Sequence, residues 1–200
     1  MHPTFDKLPS GVFIESLVQR GHNFKEAAVA VANGGIIAYP TEGVFGLGCD
    51  PSNTEAIAKV ISLKERTSDK GLILIAASRE QLNRYTGSIA KSIEVELNQS
   101  WPGAVTWILP AAEGSSELLT GGRPTIAARV TAFEPAAHLC EACGHALIST
   151  SANRSGGKPC TNAAQAADEF PDLDYIVDLP VGPLQGPTPI FDGLSGKQLR

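Results

Sequence analysis

Apolar positions along the chain switch between a helical period and short continuous runs. Asn-Phe-Lys-Glu at 23–26 resembles a capping box, and 27–33 follow as good helix formers stopped by Gly34-Gly35. IIAYP (36–40) then reads as a buried strand. Ser52-x-x-Glu55 repeats the capping signature, with Ile57, Val60, Ile61 and Lys64 at helical spacing behind it. LILIAA (72–77) is an apolar run bounded by turn formers, the pattern of a strand covered on both faces. Helices near 78–85 and 89–98 come next, then strands at VTWIL and TIAARV, a helix at 134–143, a strand at ALIST, a helix near 162–169 and strands at YIVDL and PIFD. This alternation predicts an α/β fold, a mixed parallel and antiparallel twisted open sheet flanked by helices. The stretch between VTWIL and TIAARV is rich in Gly, Ser and Pro without a helical period, so that pair is predicted antiparallel. No repeat or linker divides the chain, which implies one domain over 23–200 behind an N-terminal arm (1–22) to which the pattern assigns no chemistry.

Composition narrows the class. With 42% hydrophobic and 18% charged residues, 200 residues fill one core. No apolar run reaches the roughly 20 residues of a membrane span, and the N-terminus lacks the basic start and apolar stretch of a signal peptide, so the expectation is a cytoplasmic protein with no membrane partner. Four cysteines without a secretory signal are expected to be reduced. Cys140-x-x-Cys143 with His145 offers only part of a zinc site, so helix packing is expected there and no resident metal. The net charge of −5 removes a broad electrostatic case for nucleic-acid binding but leaves room for a local basic pocket.

Three loops gather polar residues directly after apolar strands, where open α/β sheets place ligands. PTEGVFGLGCDP (40–51) brings Thr41 and Glu42 out of a strand among glycines, either as a structural turn or as a close approach to a ligand. LKERTSDKG (63–71) sets Lys64, Arg66 and Lys70 at a helix C-terminus, either as a solvated helix end or as a triphosphate clamp. LISTSAN (147–153) runs from a strand into Ser149, Thr150, Ser151 and Asn153, hydroxyls and an amide that either orient an anion or cap a turn. Thr125 and Arg129 in TIAAR are further candidates, since a buried strand Arg usually has an anionic partner. There is no P-loop, nucleophile elbow or HExxH motif, and no general base is identifiable from spacing.

Taken together, AYPTEGVFGLGCDP, LKERTSDKGLILI, SWPGAVTWILP, TIAARV and LISTSAN resemble, in order and spacing, the YrdC/TsaC family of threonylcarbamoyl-AMP synthases in its short, single-domain bacterial form. Lys64-x-Arg66 followed downstream by Ser151-x-Asn153 is the most specific element. The resemblance implies a YrdC-like fold and a nucleotidyltransferase that joins L-threonine, bicarbonate or carbon dioxide and ATP into threonylcarbamoyl-AMP and pyrophosphate. The product serves modification of the tRNA adenosine next to the anticodon, through a downstream threonylcarbamoyl-transferase complex. It further implies Lys64, Arg66, Ser151 and Asn153 as the catalytic group. ATP would be held by these four with Lys70, Thr125, Cys160 and Arg200, and threonine by Thr41, Arg129 and Ser149. Cys160 replaces a more usual hydroxyl residue, and Gly43 stands where relatives often carry Thr or Ala. Mg2+ is expected to accompany ATP. The alternative function is an RNA-binding module using the same basic pocket, and weak tRNA or RNA binding is also compatible with the synthase.

Overall fold

The computed structural model describes residues 18–200, so most of the expected arm lies outside the described residues. In chain order the elements are β1 (Arg20–Gly21), α1 (Phe24–Ala32), β2 (Ile37–Pro40), β3 (Phe45–Gly48), α2 (Thr54–Leu63), β4 (Ile73–Ala76), α3 (Lys91–Ser100), β5 (Thr106–Pro110), α4 (Glu117–Thr120), β6 (Thr125–Val130), α5 (Glu134–Cys143), β7 (Leu147–Ile148), β8 (Thr150–Ser151), α6 (Ala163–Glu169), β9 (Tyr175–Val177) and β10 (Ile190–Asp192). The architecture is α/β with mixed strand directions, as the pattern predicts.

Among the described residues the strands form two five-stranded sheets, not one. The first has the order β1-β9-β2-β3-β8 and the second β10-β5-β6-β4-β7. The reason lies in ALIST, which reads as a single strand but breaks at Ser149. Leu147 and Ile148 pair antiparallel with β4, whereas Thr150 and Ser151 pair antiparallel with β3. The chain thus steps from one sheet to the other within five residues, with the Ser149 amide donating to Ile73 O at 2.8 Å at the step. The Gly-rich segment after β2 also differs from a plain loop, because Phe45–Gly48 turns back as a strand paired antiparallel with Ile37–Pro40. Ahead of Asn23, Arg20 and Gly21 pair parallel with Ile176 and Val177, so the first sheet starts within the segment read as an arm. VTWIL and TIAARV pair antiparallel as expected.

Local chemistry explains the helix ends. Asn23 caps α1 by accepting from Lys25 N at 3.0 Å, and Glu26 accepts from the Asn23 side-chain amide, not from its backbone as in a capping box. In α2 the cap is Asn53, which accepts from the amides of Glu55 and Ala56, while Ser52 bonds back to Asp50. The helix expected at 78–85 is a single 3-10 turn, Glu80–Leu82. There the Gln81 side chain ties the turn to Ala77 N and Cys140 O, and Arg79 reaches across to Glu94 in α3.

One core cluster joins Ala38, Phe45 and Leu47 of the first sheet to Leu74, Leu109 and Ala128 of the second and includes Ile57 and Val60 of α2. A second packs Ala27 and Val31 of α1 and Leu139 and Cys140 of α5 onto Ile37, Tyr39 and Ile75. Cys140 is a packing residue, and burial pushes its thiol up from its ordinary range. No helix among the described residues is long and apolar enough to cross a membrane.

Candidate active site

Because the chain crosses between sheets at Ser149, the ends of β3, β6 and β8 and the turn before β4 converge on one cavity of about 440 Å³. Its lining includes Arg66, Lys70, Arg123, Arg129 and Arg200 and, among the described residues, no Asp or Glu side chain. In a chain of net charge −5, five cations on one cavity, with no acid lining it among the described residues, suit a polyanion. Hydroxyls of Thr41, Thr120, Thr125, Ser149, Thr150, Ser151 and Thr188 complete it.

The cations fall into two groups. In the first, Arg66 follows α2 through a left-handed Glu65 (φ 50°) that turns the chain back toward the cavity. Its guanidinium donates to Lys70 O at 3.2 Å and Gly71 O at 2.8 Å and reaches Thr150 Oγ1 at 3.4 Å. Burial lowers its affinity for the proton, Asp69 nearby restores part of it, and Arg123 works against it. In the second group, Arg129 is 3% exposed; its Nη1 donates to the hydroxyls of Thr106 and Thr188, both at 3.0 Å. Arg200 donates to Thr188 O at 2.9 Å, and its pKa is lowered by burial and then by Arg129.

Arg129 carries its own counter-charge. Glu42 Oε1 lies 3.1 Å from Arg129 Nε, close enough for charge pairing although the N–H is not aligned for a hydrogen bond. The same oxygen accepts from Thr131 Oγ1 at 2.7 Å, whereas Glu42 Oε2 is buried without a partner among the described residues. Glu42 is in turn roofed by the loop leading to β10. Gly182 N donates to Thr41 O at 2.9 Å and Leu184 N to Glu42 O at 2.8 Å. Gly43 permits this contact: a Cβ there would lie 2.2 Å from Gly186 O and 2.5 Å from Leu184 O.

Of the residues predicted from sequence, Thr41, Arg66, Lys70, Thr125, Arg129, Ser149, Ser151 and Arg200 line this one cavity. Lys64, Asn153 and Cys160 do not. Lys64 is 4% exposed and its ammonium donates to the backbone carbonyls of Ser151 and Asn153. It clamps the end of α2 to the β8 turn from behind, and burial, with Arg66 adding repulsion, brings its pKa down to about 8. The Asn153 side chain accepts from Ser151 Oγ at 2.6 Å and donates to Arg154 O and Gly157 O, organising the turn. Cys160 sits under β3, its amide donating to Ala152 O and its carbonyl accepting from Phe45 N, both at 2.8 Å. Sequence reading did not single out Arg123, Thr106, Thr131 or Thr188, nor Glu42 as the partner of Arg129. For Glu42 the signal was present, a carboxylate leaving an apolar strand beside Thr41.

The cavity can bind a polyphosphate on Arg66 and Lys70 and a small carboxylate near Arg129. Among the described residues no group of three or more His, Cys, Asp or Glu side chains is placed to hold a metal ion.

The sequence matches the Sua5/YciO/YrdC family profile, described as telomere recombination, over residues 29–199. It is 51% identical to the threonylcarbamoyl-AMP synthase of Idiomarina loihiensis, covering 88% of this chain and 96% of that one. With the threonylcarbamoyl-AMP synthase of Halorhodospira halophila it shares 46% identity over 90% of this chain and 95% of the relative. Among solved structures, P. abyssi Sua5 complexed with L-threonine superposes with a TM-score of 0.81 at 30% identity, over 88% of this chain and 53% of that chain. This chain thus spans about half the length of that protein. E. coli YciO shares the fold, with a TM-score of 0.75 at 24% identity over 88% of each chain. The chain belongs to the Sua5/YciO/YrdC family.

Proposed function

We propose that the chain is a threonylcarbamoyl-AMP synthase that joins L-threonine, bicarbonate or carbon dioxide and ATP, releasing pyrophosphate. The observation that carries the reading is the cavity in which Arg66 and Lys70 meet Thr41, Ser149 and Arg129 with no lining acid among the described residues. In this reading the triphosphate lies on Arg66 and Lys70, with Ser151 and Thr125 toward the nucleotide and Arg200 nearby. Arg129 takes the threonine carboxylate through the part of its guanidinium that faces the cavity, while Glu42 and the two threonine hydroxyls hold the group in place.

The chemistry asks for little beyond positioning. The neutral amine of threonine adds to carbon dioxide, forming an N–C bond and releasing a proton to solvent. A carbamate oxygen then attacks the α-phosphorus, and the bond to the pyrophosphate oxygen breaks. Fixed cations stabilise the charge that builds on pyrophosphate, and a bound pair of reactants removes the entropic cost of a bimolecular encounter. Ser151 and Asn153, joined to each other and clamped from behind by Lys64, hold the β8 turn against the nucleotide. Mg2+ would accompany ATP and would be carried by phosphate oxygens and water, since among the described residues no Asp or Glu side chain lines the cavity. The labile adenylate would pass to a threonylcarbamoyl-transferase complex that modifies tRNA, in the cytoplasm.

The test is pyrophosphate release by the purified chain, which should require threonine, bicarbonate and ATP together. Equal release without an amino acid would replace this reading with simple nucleotide hydrolysis.

A further inference from the structure

The loop between α4 and β6 brings a cation to the cavity that neither motif nor periodicity singles out. Arg123 lines the cavity and makes no hydrogen bond or ion pair with the described residues. The backbone that carries it is nonetheless fixed. Gly121 and Gly122 are both left-handed (φ 65° and 73°), and their amides turn back onto Glu117 O. A Cβ on Gly121 would meet Asp69 O and Gly71 N, each at 2.5 Å, so this loop and the loop carrying Lys70 pack backbone against backbone. Leu72 N donates to Leu119 O at 2.8 Å and continues the same seam. Arg66, through its bonds to Lys70 O and Gly71 O, is tied to that seam from the other side. Arg66, Lys70 and Arg123 are therefore registered to one another by contacts that leave no room for a side chain. Arg123 is itself exposed, so the seam fixes its backbone beside Lys70 and leaves the guanidinium open to a ligand.

From this we infer that Arg123 is a third phosphate-binding side chain, completing with Arg66 and Lys70 the part of the site that receives the terminal phosphates and the departing pyrophosphate. The inference rests on the proposed ATP site. Its chemistry is that of a planar guanidinium with all its side-chain donors open, which matches two phosphate oxygens at once. Asp69 offsets part of the repulsion between Arg66 and Arg123, and a polyphosphate between the two cations would turn the remainder into shared attraction.

The test is calorimetric titration of the full chain with inorganic pyrophosphate, with ATP, and separately with L-threonine. Arg123→Ala should weaken pyrophosphate binding by about tenfold, the loss of roughly one charge-assisted contact, and leave threonine affinity unchanged. Arg123→Lys should recover only part of the loss, since a point charge replaces a fork. The salt dependence of pyrophosphate binding should also become shallower in the alanine variant. Unchanged pyrophosphate affinity in Arg123→Ala would overturn the assignment while leaving the ATP site standing. A wild-type protein that binds neither pyrophosphate nor ATP would overturn the proposed function itself, and this inference with it.

Discussion

Replacing Arg129 by alanine tests folding before it tests binding. Arg129 is 3% exposed and is the counter-charge of Glu42, whose Oε2 already lacks a partner among the described residues. Removing the guanidinium alone strands a buried carboxylate, which costs about 3–5 kcal/mol. For a chain of this size each kcal/mol lowers the melting temperature by about 2–4 °C, so Arg129→Ala should melt roughly 6–20 °C below wild type. Removing both charges is different. With Glu42→Gln and Arg129→Met together, the glutamine carbonyl still accepts from Thr131, and the hydroxyls of Thr106 and Thr188, 3.1 Å apart, still bond to each other. The double variant should therefore regain most of the lost stability, because exchanging a buried pair for neutral groups of similar volume is often close to neutral. Scanning calorimetry on wild type, both single variants and the double variant measures this coupling. In the refolded double variant, threonine affinity should fall at least about tenfold with ATP affinity kept. A single variant that melts within about 2 °C of wild type, or a double variant no more stable than Arg129→Ala, would refute the reasoning.

Gly43→Ala puts a methyl 2.2 Å from Gly186 O and 2.5 Å from Leu184 O, so the roofing loop must lift and draw Thr188 away from Arg129. The KM for threonine should rise more than the KM for ATP in steady-state assays, and an unchanged threonine KM would count against the loop's role. Lys64 makes a pH signature. Its amine titrates near pH 8 in the folded protein against an ordinary 10.5, so between those values the native state binds fewer protons than the unfolded chain. Stability from this residue therefore rises with pH: its cost is full below about 8 and is relieved as pH climbs toward 10.5. In urea titrations, the stability of wild type relative to Lys64→Met should improve from about pH 8 to 10, and a difference independent of pH contradicts the assignment.

The parts of the site that were legible in sequence share one property: they lie on apolar strands or directly beside them. Thr41, Ser149 and Ser151 leave strands, and Arg66 and Lys70 lie in the turn before β4, so a rule based on strand ends places all five on one cavity. The rule cannot tell which way a side chain turns. Lys64 and Arg66 are two residues apart, yet Lys64 points back into the protein while Arg66 faces the cavity, because left-handed Glu65 lies between them. Asn153 is likewise drawn inward by its own turn. Thr188 and Arg123 sit in Pro- and Gly-rich loops with no period, and only the tertiary packing of those loops brings them to the site. In the fold, the helix expected at 78–85 is a 3-10 turn, and β3 and the short α4 lie in Gly-rich segments that show no period, but most helices and strands along the chain were readable from period. The division into two sheets was not, since ALIST has one uniform pattern and breaks only because β3 and β4 compete for its two halves.

The most direct measurement follows the carbon. The purified protein is incubated with ATP, labelled bicarbonate and L-threonine, and the nucleotides are separated at once, since the product is labile. The account predicts a new adenylate carrying the bicarbonate label, formed one-for-one with pyrophosphate and absent when threonine is omitted or when Arg66 is replaced by alanine. Pyrophosphate or phosphate released at the same rate without threonine, with no label in any nucleotide, would contradict it.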